Sequence, residues 1–252
     1  MRDALNAGKH VYVEKPLALS VEELSEIHSA FKQSKKHQVM VGFNRRFAPA
    51  TQRVIEHFAA VNSPLVVNIR INAGAIPSNH WIQDPQVGGG RMIGEGCHFI
   101  DLASALVGSD VKTVYAVGTS KAEKSALLND NLCLSLTFEN GSIANITYTA
   151  DGSKAMAKEY VEVFGGGYSA QINDFKEVTL YSGDNNAKLH KLGVQDKGQK
   201  HMIAAWLKSL KDGTPCVEYN CLMATSLATV MAVESLALGV PMAVDTSVLT
   251  VA

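Results

Sequence analysis

The stretch HVYVEKPLALSVEEL, residues 10–24, decides how this chain is read. A short apolar run, Val11 to Val13, leads into Glu14-Lys15-Pro16. A strand is predicted there, stopped by Pro16, because proline removes a backbone donor and fixes φ. A helix start follows: Ser20 and Glu23 have the spacing of a capping box, and Leu19 with Leu24 that of a hydrophobic staple. The helix is expected to run to about Lys36, with Leu24, Ile27, His28 and Phe31 on one stripe. Residues 2–8 read as the tail of an earlier helix closed by Gly8. QVMVGF, residues 38–43, is a second, near-continuous apolar run of the kind parallel strands show. The first 43 residues therefore read helix–strand–helix–strand, a βα-type unit.

Beyond this unit the pattern changes. A helix is expected over 48–61, and then LVVNIRIN, 65–72, alternates apolar and polar like a half-buried antiparallel strand. LCLSLTFENGSIANITYTA, 132–150, reads as a hairpin with Leu132, Leu134, Leu136 and Phe138 on one face and Asn140-Gly141 as a type I′ turn. EYVEVFG and EVTLYSG are further strands, and two helices near 201–211 and 221–238 close the chain, the first aligning Met202, Trp206 and Leu210. The fold class is α/β plus α+β, dividing near residue 45. Residues 1–45 are parallel α/β, and 46–252 carry a mostly antiparallel sheet.

Two parallel strands are too few for a stable open sheet, which usually has about four to six. At roughly 30 residues per βαβ unit, a doubly wound domain ending at Phe43 calls for on the order of 100 residues upstream. The expectation is a chain that begins inside a domain; the alternative is a small sheet completed by later strands. The phosphate-binding glycine loop of such a domain is not found elsewhere. GGGYSA, 165–170, has the letters of G-x-G-x-x-A but no following helix, so it reads as a turn. VGGGRMIGEG, 87–96, lacks the spacing but precedes a helix, so its amides could face a polar ligand.

The bulk properties narrow the function classes. The net charge of −1 gives no field for nucleic acid or an anionic membrane. Lys32, Lys35 and Lys36 read as the solvated end of a helix. The four cysteines, Cys97, Cys133, Cys216 and Cys221, form no CxxC or zinc spacing and read as reduced, mostly buried thiols of a cytoplasmic protein. MRDALNAGKH has no apolar core of a signal peptide. The apolar tract from Leu222 to Val233 carries Thr and Ser and runs into Glu234, which reads as a packed helix rather than a span.

AGKHVYVEKPLA, VGFNRRFAP and GGGRMIGEGCHFID occur in the order and rough spacing of the Gfo/Idh/MocA oxidoreductases, and the resemblance runs over almost the whole chain. It implies a Rossmann domain, of which residues 1–45 would be the C-terminal remnant. A substrate and oligomerisation domain, 46–252, with a large and mostly antiparallel sheet, would follow. It also implies NAD- or NADP-linked hydride transfer on a sugar, sugar derivative or polyol, with weak or absent cofactor binding by this chain alone, and a homo-oligomer formed through the sheet. The alternative is a non-catalytic binding or oligomerisation module that uses the sheet.

The resemblance makes Lys15 and His98 the catalytic candidates and places Glu14, Lys15, Pro16 and Asn44 near the cofactor. Lys15 lies where a strand's C-terminal end meets a loop, the usual ligand side of an open sheet. Its ammonium could stabilise a developing alkoxide, with Glu14 anchoring it and Pro16 aiming it; the alternative is a surface Lys ending an edge strand. Glu95 and Asp101 are the i−3 and i+3 neighbours of His98, and a carboxylate there is expected to raise the imidazole pKa and fix its tautomer for general-base work. The alternative is a hydrogen-bonded interface histidine; a metal site from these three lacks further ligands. Where the family often has Asp, four residues before the histidine, this chain has Gly94, which puts the acid/base partner in question. Of Arg45 and Arg46, one is expected to pair with a carboxylate and the other with substrate or phosphate. The resemblance favours Arg46 as structural and Arg45 with substrate. Asn79, His80 and Trp81 offer polar and stacking groups for a sugar ring, or are a buried Trp with loop residues.

Overall fold

The structure is a computed structural model, and residues 1–34, 37–119 and 129–249 are described. The expected run of the second helix to Lys36 ends outside these residues, as do Lys35 and Lys36. Within them α1 is Arg2–Asn6, β1 Val11–Val13, α2 Val21–Gln33 and β2 Val39–Val41. β1 and β2 pair in parallel, Val11 opposite Val39 and Val13 opposite Val41. β2 is buried throughout, as its unbroken apolar run predicts. β1 ends two residues before Lys15, not at Pro16, and the Lys15–Pro16 peptide is cis. The Ser20 hydroxyl accepts from the Glu23 amide at 3.3 Å. The Glu23 carboxylate reaches one residue further back than a capping box requires, to the Leu19 amide at 2.8 Å.

A single-turn helix at Asn44–Phe47 leads into α3, Pro49–Phe58. β3, Val66–Asn72, then enters a nine-stranded sheet in the order β10-β9-β8-β7-β3-β6-β5-β4-β11. Its members are β4 (Val111–Gly118), β5 (Leu132–Phe138), β6 (Ile143–Thr149), β7 (Glu159–Gly165), β8 (Tyr168–Asn173), β9 (Glu177–Ser182), β10 (Asn186–Lys191) and β11 (Met242–Ala243). Every pairing is antiparallel except one. β3 pairs antiparallel with β7 but parallel with β6, which corrects the purely antiparallel expectation for 65–72. GGGYSA is the β7–β8 hairpin, with Gly166 and Gly167 at its turn.

The Asn140-Gly141 turn is not type I′. Only Gly141 has positive φ, and its amide bonds to Phe138 O at 3.0 Å. This is a type I turn followed by a left-handed glycine, the three-residue hairpin solution. Asn140 turns its side chain to Val107 O instead.

α4, Cys97–Val107, α5, Gln199–Asp212, and α6, Tyr219–Leu238, complete the fold. α3, α4 and α6 pack on one face of the sheet, where Leu132, Leu134, Leu136 and Phe138 are buried as expected. α6 is long and apolar enough to cross a membrane, yet it is mostly buried against β4 and α4. The opposite sheet face exposes Cys133, Ser135 and Thr137. Only Cys97 of the four free cysteines is fully buried and Cys133 is exposed, a correction forced by strand parity.

Candidate active site

Three chain segments converge: the C-terminal ends of β1 and β2, and the head of α4. A π-helical turn, Met92–Gly96, opens α4. Gly94 has no room for a side chain, because a Cβ would sit 2.4 Å from an Ile82 side-chain carbon. Its carbonyl accepts a 2.7 Å hydrogen bond from Lys15 Nζ. Lys15 is thus seated on the helix that carries His98. His98 lies edge-on to Phe43, ring centres 6.2 Å apart, just past β2.

His98 is 7% exposed, and its Nδ1 is sealed from solvent with no hydrogen-bond partner. Burial, reinforced by Arg45, Lys15, Lys158 and Lys197, drives its pKa well below the usual 6.5. The imidazole is neutral. This reverses the expectation that Glu95 or Asp101 would raise it, because both carboxylates face other partners. Glu95 accepts from Lys158 Nζ at 2.7 Å and from the Tyr148 hydroxyl, with Arg91 3.7 Å away. Burial alone would raise its pKa, but Lys158, Tyr148 and Arg91 outweigh it and hold Glu95 at about 2. Asp101 is fully buried and receives Arg46 Nε at 2.9 and 3.1 Å.

Arg46 is structural, as the resemblance implies, but Arg45 is too. Its Nε and Nη2 donate to Glu159 at 2.7 and 2.9 Å, and Lys197 Nζ reaches the same carboxylate at 2.6 Å. The guanidinium also lies 4.7 Å over the Phe99 ring. Arg45, 6% exposed, and Asp101, 0% exposed, are therefore corrected from substrate contacts to framework. Asn44 is buried beside them, and its side-chain amide donates to Lys197 O at 2.7 Å. Glu14 does not anchor Lys15: its carboxylate accepts from the Tyr12 hydroxyl at 2.6 Å and packs over Gly42. Trp81 is 51% exposed, not buried; it and Asn79 are on the surface, while His80 Nδ1 caps the turn at Ile82. Among the described residues no three His, Cys, Asp or Glu side chains are grouped to hold a metal ion.

Glu159, Lys158, Lys197, Tyr148 and Arg91 carry the electrostatics and were not singled out from sequence. One signal was legible. Glu159, Val161 and Val163 share the buried parity of β7, so the glutamate occupies a core position of its strand.

The family model for an oxidoreductase family with an NAD-binding Rossmann fold matches residues 1–43, and that for the GFO/IDH/MocA C-terminal domain matches 62–169. The uncharacterized oxidoreductase YrbE of Bacillus subtilis (strain 168) is 29% identical over 97% of this chain and 74% of its own length. The myo-inositol 2-dehydrogenase of Thermotoga maritima is 26% identical over 83% of this chain and 64% of its own length. In fold, levoglucosan dehydrogenase in complex with NADH and levoglucosan superposes with a TM-score of 0.80 at 21% identity, over 96% of this chain and 75% of that one. The two matched regions span more than half of the sequence and frame the Lys15–His98 junction: the chain belongs to the Gfo/Idh/MocA family of oxidoreductases.

Proposed function

We propose that the protein transfers hydride between NAD or NADP and a hydroxyl-bearing carbon of a sugar, sugar derivative or polyol, with Lys15 and His98 as the reacting pair. The observation that carries this reading is the seating of the Lys15 ammonium on Gly94 O, in the π-helical turn that leads into His98. The nicotinamide, when bound, supplies the hydride acceptor or donor. Lys15, bonded among the described residues only to a neutral carbonyl, keeps N–H donors for the alkoxide that develops as hydride leaves. His98 is held neutral and takes the hydroxyl proton at Nε2, the ring nitrogen not sealed inside the protein.

In this reading residues 1–45 are the C-terminal part of the cofactor domain and 46–252 the substrate and oligomerisation domain. Lys15 on Gly94 O and His98 beside Phe43 would be the residues at the nicotinamide end of the cofactor. Among the described residues no glycine loop joins a strand to a helix, and GGGYSA is a hairpin turn, so the pyrophosphate has no matching cradle. Weak or absent dinucleotide binding is expected of this chain alone, in a cytoplasmic setting. Asn79, His80 and Trp81 stand as further substrate contacts on an exposed loop.

The test is nicotinamide absorbance with NAD and NADP over a panel of polyols and sugars, alongside NADH fluorescence for cofactor affinity. His98→Ala should lower turnover by about 10²–10⁴ while leaving cofactor affinity unchanged. Equal loss of both would remove the base assignment, and binding of the dinucleotide without turnover of any panel member would remove the reading.

A second reading rests on the open sheet face. Val66 lies opposite Ile143 across β3 and β6, 38% and 43% exposed, and Tyr115 and Val117 are exposed on β4. That face suits a second copy of the chain, making a homo-oligomer, with or without catalysis. Analytical ultracentrifugation of Val66→Lys/Ile143→Lys against the parent checks it: an unchanged mass refutes use of this face.

A further inference from the structure

The charges that bear most on His98 come from four elements: Lys15 after β1, Arg45 after β2, Lys158 before β7 and Lys197 before α5. All four are cations. Glu159 answers Arg45 and Lys197, and Glu95 answers Lys158. Asp101, the remaining carboxylate on α4, is fully engaged by Arg46. Glu14, beside Lys15 in sequence, is turned to Tyr12. Among the described residues Lys15 has no carboxylate partner, only the Gly94 carbonyl. Four cations thus face two carboxylates, and Lys15 is the one of the four that touches neither, beside a nine-tenths-buried imidazole that itself has an unpartnered nitrogen.

A second feature has the same sign. A cleft of about 900 Å³ is lined by Lys154, Lys158, Lys176 and Lys191 against Asp174 and Glu177. Lys176 is taken by Asp174 at 3.1 Å, whereas Lys154 has no carboxylate partner among the described residues. Lys158 belongs to both places: it lines the cleft, and its Nζ sits on Glu95, one turn before His98. The cleft and the reacting pair thus meet at one side chain, and each has more cations than anions.

We propose that the substrate itself carries an anionic group, a carboxylate or a phosphate, close to the hydroxyl that reacts, and that this group completes the site by pairing with Lys15. This rests on the sugar or polyol reading above and narrows its substrate class. A neutral polyol leaves the Lys15 charge uncompensated next to an imidazole that must accept a proton. An acidic sugar removes that repulsion as it binds, so the base gains strength only when the correct ligand is present. The lysine cleft beyond Lys158 gathers anions toward the site before they dock.

The test is calorimetric titration of the whole protein at low ionic strength, where charge pairing is least screened. The probes are glucuronate, glucose 6-phosphate, glucose and myo-inositol, each with and without NADH, with acetate and inorganic phosphate alone as controls. At least one charged sugar should bind about tenfold or more tightly than glucose, and the stronger of the two tells carboxylate from phosphate. Lys15→Gln should abolish the preference without shifting the melting temperature. The inference is overturned by any of four results: glucose or inositol binding as tightly as the charged sugars, the free anions binding as tightly as the charged sugars, an unaltered preference in Lys15→Gln, or no binding of any probe. Turnover separates this from the parent reading. If neutral and acidic sugars are oxidised equally well, the anionic substrate falls and the oxidoreductase stands. If acidic sugars bind in a Lys15-dependent way and the dinucleotide binds but is not reduced, the hydride-transfer reading falls instead.

Discussion

Replacing Glu159 with Gln is expected to cost far more than a surface ion pair would. The carboxylate is 1% exposed and holds Arg45, whose side chain is 7% exposed, through two bonds, together with Lys197. Gln keeps the shape and one acceptor, but Arg45 cannot shed its proton. A guanidinium then stays charged in the interior without a counter-ion. Removing one partner of a buried pair costs about 3–5 kcal/mol. At about 2–4 °C per kcal/mol for a chain of this size, the melting temperature should fall by roughly 6–20 °C, read by circular dichroism. Arg45→Met/Glu159→Leu removes the buried pair and should recover much of the loss, because its desolvation cost goes with it, while Lys197, 17% exposed, keeps the remainder. A fall below about 2 °C in Glu159→Gln, or no recovery in the double variant, would refute the claim that this pair is desolvated and mutually dependent. The damage should reach the site, since Asn44 hangs from Lys197 O and His98 feels the Arg45 charge.

Three further outcomes are expected. Burial and then the neighbouring cations depress the His98 pKa, so the unfolded chain takes a proton below about pH 6.5 that the folded one refuses. The stability His98 supports is complete above that value and is lost as the pH falls toward the folded pKa. Imidazole NMR should show His98 still neutral at the pH where a free histidine is half protonated, about 6.5, and His98→Asn should flatten the stability profile below that pH. Tyr148→Phe removes a hydroxyl that donates to Glu95 and accepts from Arg91, costing about 1–3 kcal/mol. The Glu95 contribution, present above about 4.5 and lost as pH falls toward about 2, should then be lost at higher pH in acid melts. Gly94→Ala drives a methyl into Ile82 and toward Gly88 O, and about 1–3 kcal/mol of destabilisation by urea unfolding is expected.

Local signals recovered much of this molecule. Val39–Val41 is a buried parallel strand because its apolar run has no polar face to offer solvent. Leu132, Leu134, Leu136 and Phe138 alternate with polar residues because the sheet has one covered face. β4, β10 and β11 were missed for identifiable reasons. β4 has a register shift between Val111 and Thr113 that breaks the alternation, β10 is an exposed edge strand, and β11 is two residues long. The partners of the site were harder to read, since they depend on which distant strand lies alongside. Arg45 and Glu159 are 114 residues apart, and Lys15 and Gly94 are 79 apart. The family resemblance singled out Lys15 and His98 as candidates. It said nothing of which carboxylates were already occupied, and the roles assigned to Glu14, Arg45, Glu95 and Asp101 changed for that reason.

The most direct measurement is a crystal structure of the protein with glucuronate or myo-inositol, whichever binds more tightly, at saturating concentration. One ligand hydroxyl oxygen should lie about 2.6–3.2 Å from both Lys15 Nζ and His98 Nε2. A ligand bound elsewhere, or touching only one of those two nitrogens, would contradict the shared site on which the account depends.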